Sequence, residues 1–337
     1  MRVGFNPHKD KVESDTRYLH QVIIPVYIPN EEGYFGDSIT IFKYCLQSLF
    51  KTCHEKTFFT IVNNGSCQKV LDYCNQLLFE KKIHEIIHTS NIGKLNAVLK
   101  GVTGHNIPLV TIADADVLFL THWQNETNNV FARFPKAGVV GIVPQFKQFE
   151  GGSVNVIREM FFSRKLRFTD VKNPLALIQF YKSIGWDHDY NKDYLLKNLT
   201  IASKGYFAIV GSGHFVATYR RDLFDKIITF NEAKMGAGSE KYLDDLPLKQ
   251  GLWRLTTANN HAFHMGNVKE SWMEEELKNL MPEDLEMCPG ATYENLEKSA
   301  LGLGITNRIF QKLFSKRWFR KWFYKYKGLP PNMISNY

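Results

Sequence analysis

No apolar run in this chain approaches the ~20 residues needed to cross a bilayer, and Met1 to Asp15 lack the apolar stretch of a signal peptide. Cysteines are few and unpatterned. The five present (Cys45, Cys53, Cys67, Cys74, Cys288) form no Cys-x-x-Cys pair, which argues against a disulfide framework or zinc site and for reduced thiols in a cytoplasmic protein. Glycine cradles for phosphate are also missing. No Gly-x-Gly-x-x-Gly follows the first apolar segment, and no Gly-Lys-Ser/Thr loop occurs.

Acidic residues are absent from the tail between Ile305 and Gly328, which carries Arg308, Lys312, Lys316, Arg317, Arg320, Lys321, Lys325 and Lys327. Setting these eight aside leaves 34 basic residues against 34 acidic ones, so the net charge of +8 belongs to the tail. A neutral body argues against a globally basic nucleic-acid binder. The 337 residues suffice for one large α/β domain with an appendage. A 44% hydrophobic and 23% charged composition suits a soluble globular chain.

The most informative stretch is Leu109-Val110-Thr111-Ile112-Ala113-Asp114-Ala115-Asp116. Its continuous apolar run reads as a strand buried on both faces, as in a parallel sheet. Carboxylates at the carboxyl end of such a strand sit in the crevice where open α/β sheets bind ligands. They suit a hard divalent cation and, through it, a diphosphate. Asp-x-Asp alone arises by chance roughly once in a chain of this size, and Asp187-His188-Asp189 is a second copy. That copy has no strand leading into it and is read as a loop.

Apolar strand-like runs at Gln21–Tyr27, Phe58–Val62 and Ile83–His88 alternate with helical periodicities over Asp37–Thr52, around Val70–Leu78, and over Gly93–Val102. Asp37 or Ser38 is placed to cap the first helix. This alternation predicts an α/β fold with a doubly wound, mostly parallel sheet flanked by helices. A further strand is predicted over Val139–Val143. Residues 145–200 mix aromatics with charge and few clear periods. Phe207–Gly213 resumes the sheet.

The ordered motifs Ile24-Pro25-Val26-Tyr27 with Glu31-Glu32, Val62-Asn63-Asn64-Gly65-Ser66, Asn91-Ile92-Gly93-Lys94-Leu95-Asn96-Ala97 and Asp114-Ala115-Asp116 resemble a GT-A fold glycosyltransferase, most similar to glycosyltransferase family 2. The resemblance implies a domain over 1–267, with a nucleotide-sugar half at 20–145 and an acceptor half at 146–267. Residues 268–337 would then be a helical, basic-aromatic extension. It also implies a nucleoside diphosphate sugar donor, UDP in the first instance, held by Pro25, Val26, Tyr27, Glu31, Asn64, Lys94, Asp114 and Ala115. Asn64 stands where the family usually has Asp, and Asn offers both donor and acceptor.

By the same resemblance Asp116 is the direct ligand of Mn²⁺ or Mg²⁺, with Asp114 and the late His264 completing its surroundings. Glu240, in the segment Gly236–Asp245, falls where the family has its catalytic Asp. Asp244 and Asp245 are substitutes should the register slip. An inverting transfer needs one such carboxylate to take the acceptor hydroxyl's proton. The implied acceptor is a glycan or lipid-linked oligosaccharide, in the synthesis of cell-surface polysaccharide or glycoconjugate.

The tail's aromatics, from Ile309 to Phe314 and from Trp318 to Tyr326, read as two short amphipathic helices broken at Ser315-Lys316. Basic residues interleaved with Trp and Phe suit an anionic membrane surface, with the protein peripheral at the inner face of the cytoplasmic membrane, or else helices packed on the catalytic domain with a solvated basic side. Two other classes share parts of this pattern. A sugar-nucleotide pyrophosphorylase needs a glycine-rich basic loop after the first strand, and Val26-Tyr27-Ile28-Pro29-Asn30 does not supply one. A non-catalytic nucleotide-sugar-binding scaffold at the membrane would keep the fold and dock through the tail.

Overall fold

The computed structural model describes residues 4–6, 9, 17–186, 188–281 and 300–337. Asp187, Cys288 and most of the polar lead-in lie outside the described residues. The strands are β1 (His20–Val26), β2 (Thr57–Asn64), β3 (Glu85–Thr89), β4 (Leu109–Ala113), β5 (Val117–Phe119), β6 (Ala137–Gly141), β7 (Leu166–Asp170), β8 (Lys197–Ser203), β9 (Tyr206–Val210), β10 (Val216–Arg220), β11 (Trp253–Thr257) and β12 (Ala262–His264). The helices are α1 (Ser38–Thr52), α2 (Gln68–Phe79), α3 (Lys94–Val102), α4 (Trp123–Arg133), α5 (Val154–Glu159), α6 (Pro174–Ser183), α7 (Ala237–Lys249), α8 (Ser271–Asn279), α9 (Ala300–Phe314) and α10 (Arg317–Tyr326).

Among the described residues one ten-stranded sheet runs in the order β3-β2-β1-β4-β10-β6-β11-β9-β8-β7. It is parallel from β3 to β4, as the apolar runs and intervening helices dictate. The antiparallel strand β10 then pairs with β4, and β11, β9, β8 and β7 continue mainly antiparallel. The aromatic stretch 145–200 therefore contains β7, α6 and part of an antiparallel meander. All five residues of β4 are buried, the consequence of a strand with helices on both sheet faces.

A two-stranded ribbon, β5 with β12, lies beyond the end of β4 and sets His264 opposite Val117. Met265 N–H donates to the carbonyl of Asp116 at 2.8 Å, locking the late histidine beside the Asp-x-Asp turn. Asp37 precedes α1 but does not cap it with its side chain. Its carboxylate instead accepts from Lys269 N–H at 2.9 Å, tying the segment after β12 to the start of α1.

The C-terminal helices share the body's core. Met273 and Leu277 of α8 are buried against the α1 side, and Lys51 Nζ donates to Leu277 O. The helices α9 and α10 break at Ser315-Lys316. Phe314, Phe319, Phe323 and Tyr324 join Phe149, Phe161 and Phe168 in one apolar cluster. The four described cysteines are free thiols. Among the described residues no helix is long and apolar enough to cross a membrane.

Candidate active site

A cleft of about 410 Å³ opens at the carboxyl ends of β1, β2 and β4. Pro25, Val26, Tyr27, Asn64, Lys94, Asp114, Ala115 and Asp116 all line it. Glu31 does not. It reaches out to Lys69 at 2.6 Å on the surface, because the turn after β1 carries it away from the cleft. Contributors given no role by the sequence include Tyr34, Phe35, Asn91, Lys234 and Met235.

The loop bearing Lys234 is held by Asn96, whose amide donates to Asn231 O at 2.8 Å and accepts from Asn231 N–H at 2.9 Å. Gly93, at φ 90°, lets this loop approach. A Cβ there would stand 2.8 Å from the Lys234 Cα, too close for any side chain, and the conformation itself favours glycine.

At the cation-like end, Lys94 Nζ lies 2.5 Å from an Asp114 oxygen. Burial works against the Lys94 ammonium, but Asp114, with Glu240 and Asp116 behind it, outweighs that and holds its pKa above the usual value. Asp116 Oδ2 lies 3.4 Å from His264 Nε2, while its Oδ1 is buried with no hydrogen-bond partner among the described residues. Burial, opposed by His264 and reinforced by Asp114, lifts the Asp116 carboxyl above the ordinary range.

The tautomer of His264 follows from its neighbour. Ser183 Oγ donates to Phe180 O at 2.6 Å, so toward His264 Nδ1, 2.9 Å away, it accepts. Nδ1 therefore carries a proton, and in the neutral imidazole Nε2 is the nitrogen left free to ligate, on the side of the Asp116 carboxylate. Two lone-pair groups facing each other, one beside an unpartnered buried oxygen, fit a divalent cation between them. Among the described residues no group of three or more His, Cys, Asp and Glu gathers to hold a metal. A cation here would therefore draw further ligands from a bound molecule.

At the other edge, His214 Nε2 lies 3.3 Å from Glu240 Oε2. Both line a small void with Lys94, so Glu240 belongs to the same electrostatic group as Asp114. Asp244 stands on the other side of the same imidazole, one of its oxygens 3.9 Å from His214 Nδ1. Its carboxylate pairs with Arg254 at 2.6 Å, and Arg254 is anchored by Ser212 O. Burial lifts the Asp244 carboxyl, against the pull of Arg254 and His214. Asp245 faces Lys241, one turn earlier on α7, at 3.0 Å. His214 and Ser183 carried no signal in the sequence, since each acquires its role only from a partner 26 or more positions away.

Sequence comparison then assigns the chain. The profile described as glycosyl transferase family 2 matches residues 22–228, more than half of the chain. The chain belongs to glycosyltransferase family 2 and is a transferase. No curated protein sequence matches it. Solved structures similar to it include residues 1–349 of S. aureus TarS, at 10% identity and TM-score 0.44, covering 77% of this chain and 69% of that one. The same TarS fragment with UDP-GlcNAc aligns at 12% identity and TM-score 0.44, over 78% and 68% of the two chains. The mannosyltransferase PcManGT from Pyrobaculum calidifontis, in complex with GDP-Man and Mn²⁺, aligns at 14% identity and TM-score 0.40, over 73% of this chain and 56% of that one.

Proposed function

We propose that the protein transfers a sugar from a nucleoside diphosphate donor to a hydroxyl of a glycan or lipid-linked oligosaccharide, with inversion, in the assembly of cell-surface polysaccharide or glycoconjugate. One observation carries this reading. Where β4 ends, the Asp116 carboxylate, one oxygen unpartnered among the described residues and the other 3.4 Å from His264 Nε2, lies beside Lys94 and Asp114.

Asp116 and His264 would hold Mn²⁺ or Mg²⁺, and Asp114 would take the ribose or a metal-bound water. The ion, when bound, neutralises charge growing on the leaving diphosphate. Lys94 adds a fixed positive charge on the same side. Glu240 accepts the proton of the acceptor hydroxyl as its oxygen attacks the anomeric carbon and the bond to the diphosphate breaks. His214 orients the carboxylate for that step. Incubation with nucleoside diphosphate sugars and Mn²⁺ is expected to give transfer or slow hydrolysis, abolished in Asp116→Ala. Turnover that ignores both metal and Asp116 would refute the proposal.

The tail supports a place at an anionic membrane surface. Trp318, Trp322 and Tyr326 recur every fourth residue on α10 and remain exposed, as do Ile305 and Ile309 on α9. Arg308, Lys312, Lys316, Arg317 and Lys325 are also exposed, and this charge beside aromatic rings suits an acidic headgroup layer. Flotation with vesicles containing phosphatidylglycerol is expected to carry the full chain and not a Trp318→Ala/Trp322→Ala variant. Equal flotation of the two would remove the membrane from the account.

A further inference from the structure

The end of the cleft away from the carboxylates is lined by aromatic rings and by two asparagines, Asn64 and Asn91. Asn64 closes β2, two strands from β4, which at ~4.8 Å per strand puts it about 10 Å from the Asp-x-Asp turn. Tyr27 and Phe35 supply ring surface between them.

The Asn64 amide is oriented by the backbone. Ile92 N–H, which can only donate, reaches Asn64 Oδ1 at 2.9 Å, and the Thr89 hydroxyl also meets this oxygen at 3.2 Å. Asn91 repeats the pattern, its Oδ1 taking Gly93 N–H at 3.2 Å. The two residues are neighbours, since a Cβ on Gly65 would stand 2.9 Å from Asn91 N. Both oxygens are thus engaged by the chain. Neither amide nitrogen has a protein acceptor among the described residues; Asn64, its oxygen doubly engaged, meets a ligand as a hydrogen-bond donor, and Asn91 offers its N–H donors beside the one lone pair its oxygen keeps.

Resting on the transferase reading above, we infer that the base seat reads acceptors and selects cytosine, making the donor a cytidine diphosphate sugar rather than the uridine one implied by resemblance. Cytosine presents two adjacent acceptors, the bare N3 and O2. Uracil also offers acceptors, O2 and O4, but carries an N3–H donor between them, so the Asn64 amide that would pair with cytosine N3 meets a donor there and both are left unpaired. A carboxylate at position 64 would reverse this. One oxygen would keep the Ile92 bond, and the other would accept from an imino N–H.

Calorimetric titration of the full chain with CDP, UDP, GDP and ADP, each with excess Mn²⁺, compares bases on a shared diphosphate. CDP is expected to bind tenfold or more tighter than UDP, about one hydrogen-bond mismatch, and tighter than either purine. Asn64→Asp is expected to bring UDP level with or above CDP, and Asn91→Asp, at a less enclosed position, to move the ratio the same way. UDP or a purine matching CDP in the wild type, or a ratio unmoved by both variants, overturns the cytosine assignment and leaves the transferase reading standing. Failure of all four to bind removes both.

Discussion

Substituting two adjacent aromatics of α10 separates its inner face from its outer one. Phe323 is fully buried, with ring centroids 5.7 Å from Phe161 and 5.3 Å from Phe314. Phe323→Ala removes a large ring from a packed cluster and should cost about 3–5 kcal/mol. At ~2.1 cal/mol/K per residue, a chain of this length unfolds with roughly 0.7 kcal/mol/K of entropy, so the melting temperature should fall about 4–7 °C. Trp322 is 47% exposed, stacked on Tyr326 and, at 5.6 Å, on Phe161. Trp322→Ala should cost about 1–2 kcal/mol, lowering melting by less than half as much as Phe323→Ala, while weakening vesicle binding. Scanning calorimetry paired with flotation reads both effects. Equal melting of the two variants would contradict the shared core between tail and body.

Glu240→Gln should lower kcat by about 10²–10⁴-fold, the usual worth of a general base, with donor KM little changed. Steady-state kinetics would contradict the assignment if Asp244→Asn mimicked that split. Ser183→Ala frees the His264 tautomer and should weaken Mn²⁺ binding about 10–100-fold in calorimetric titration; unchanged affinity would show the hydroxyl to be idle. His20 is held neutral by burial, then by His54, with its pKa well below the usual 6.5. Its Nδ1 accepts from Gln124 and its Nε2 meets Thr111 at 2.6 Å. The unfolded chain takes up a proton near pH 6.5 that the folded chain refuses. Stability from this group is therefore present above about pH 6.5 and lost below it, by up to ~1.4 kcal/mol per pH unit. Denaturation curves from pH 7.5 to 5.5 should show this slope reduced by about one proton in His20→Gln, and an equal slope would contradict it.

Much of the nucleotide half was legible in the chain because its signals are local. The run Leu109–Ala113 becomes β4 with the same boundaries, and the apolar spacing of Ile41, Cys45, Leu46 and Leu49 becomes the buried face of α1. The expected start of β3 was early: Ile83 is buried in the turn before the strand, which begins at Glu85. The antiparallel meander was illegible, because pairings such as Phe168 with Leu199 join distant residues. Aromatics on two faces of α10 hid which face packs inward. At the site, Asp114, Asp116, Lys94 and Asn64 announced themselves by motif, yet the engaged oxygen of Asn64 depends on Ile92 N–H. Ser183 reaches His264 across 81 positions. No periodicity carries such contacts.

The central claim is that Asp116 binds a cation through which a nucleoside diphosphate is held. Calorimetric titration of a nucleoside diphosphate into the wild type and Asp116→Asn, with and without Mn²⁺, tests it most directly. The account predicts binding that needs the metal and weakens at least about 100-fold in the variant, as removal of a direct ligand demands. Equal affinity in all four titrations would contradict it.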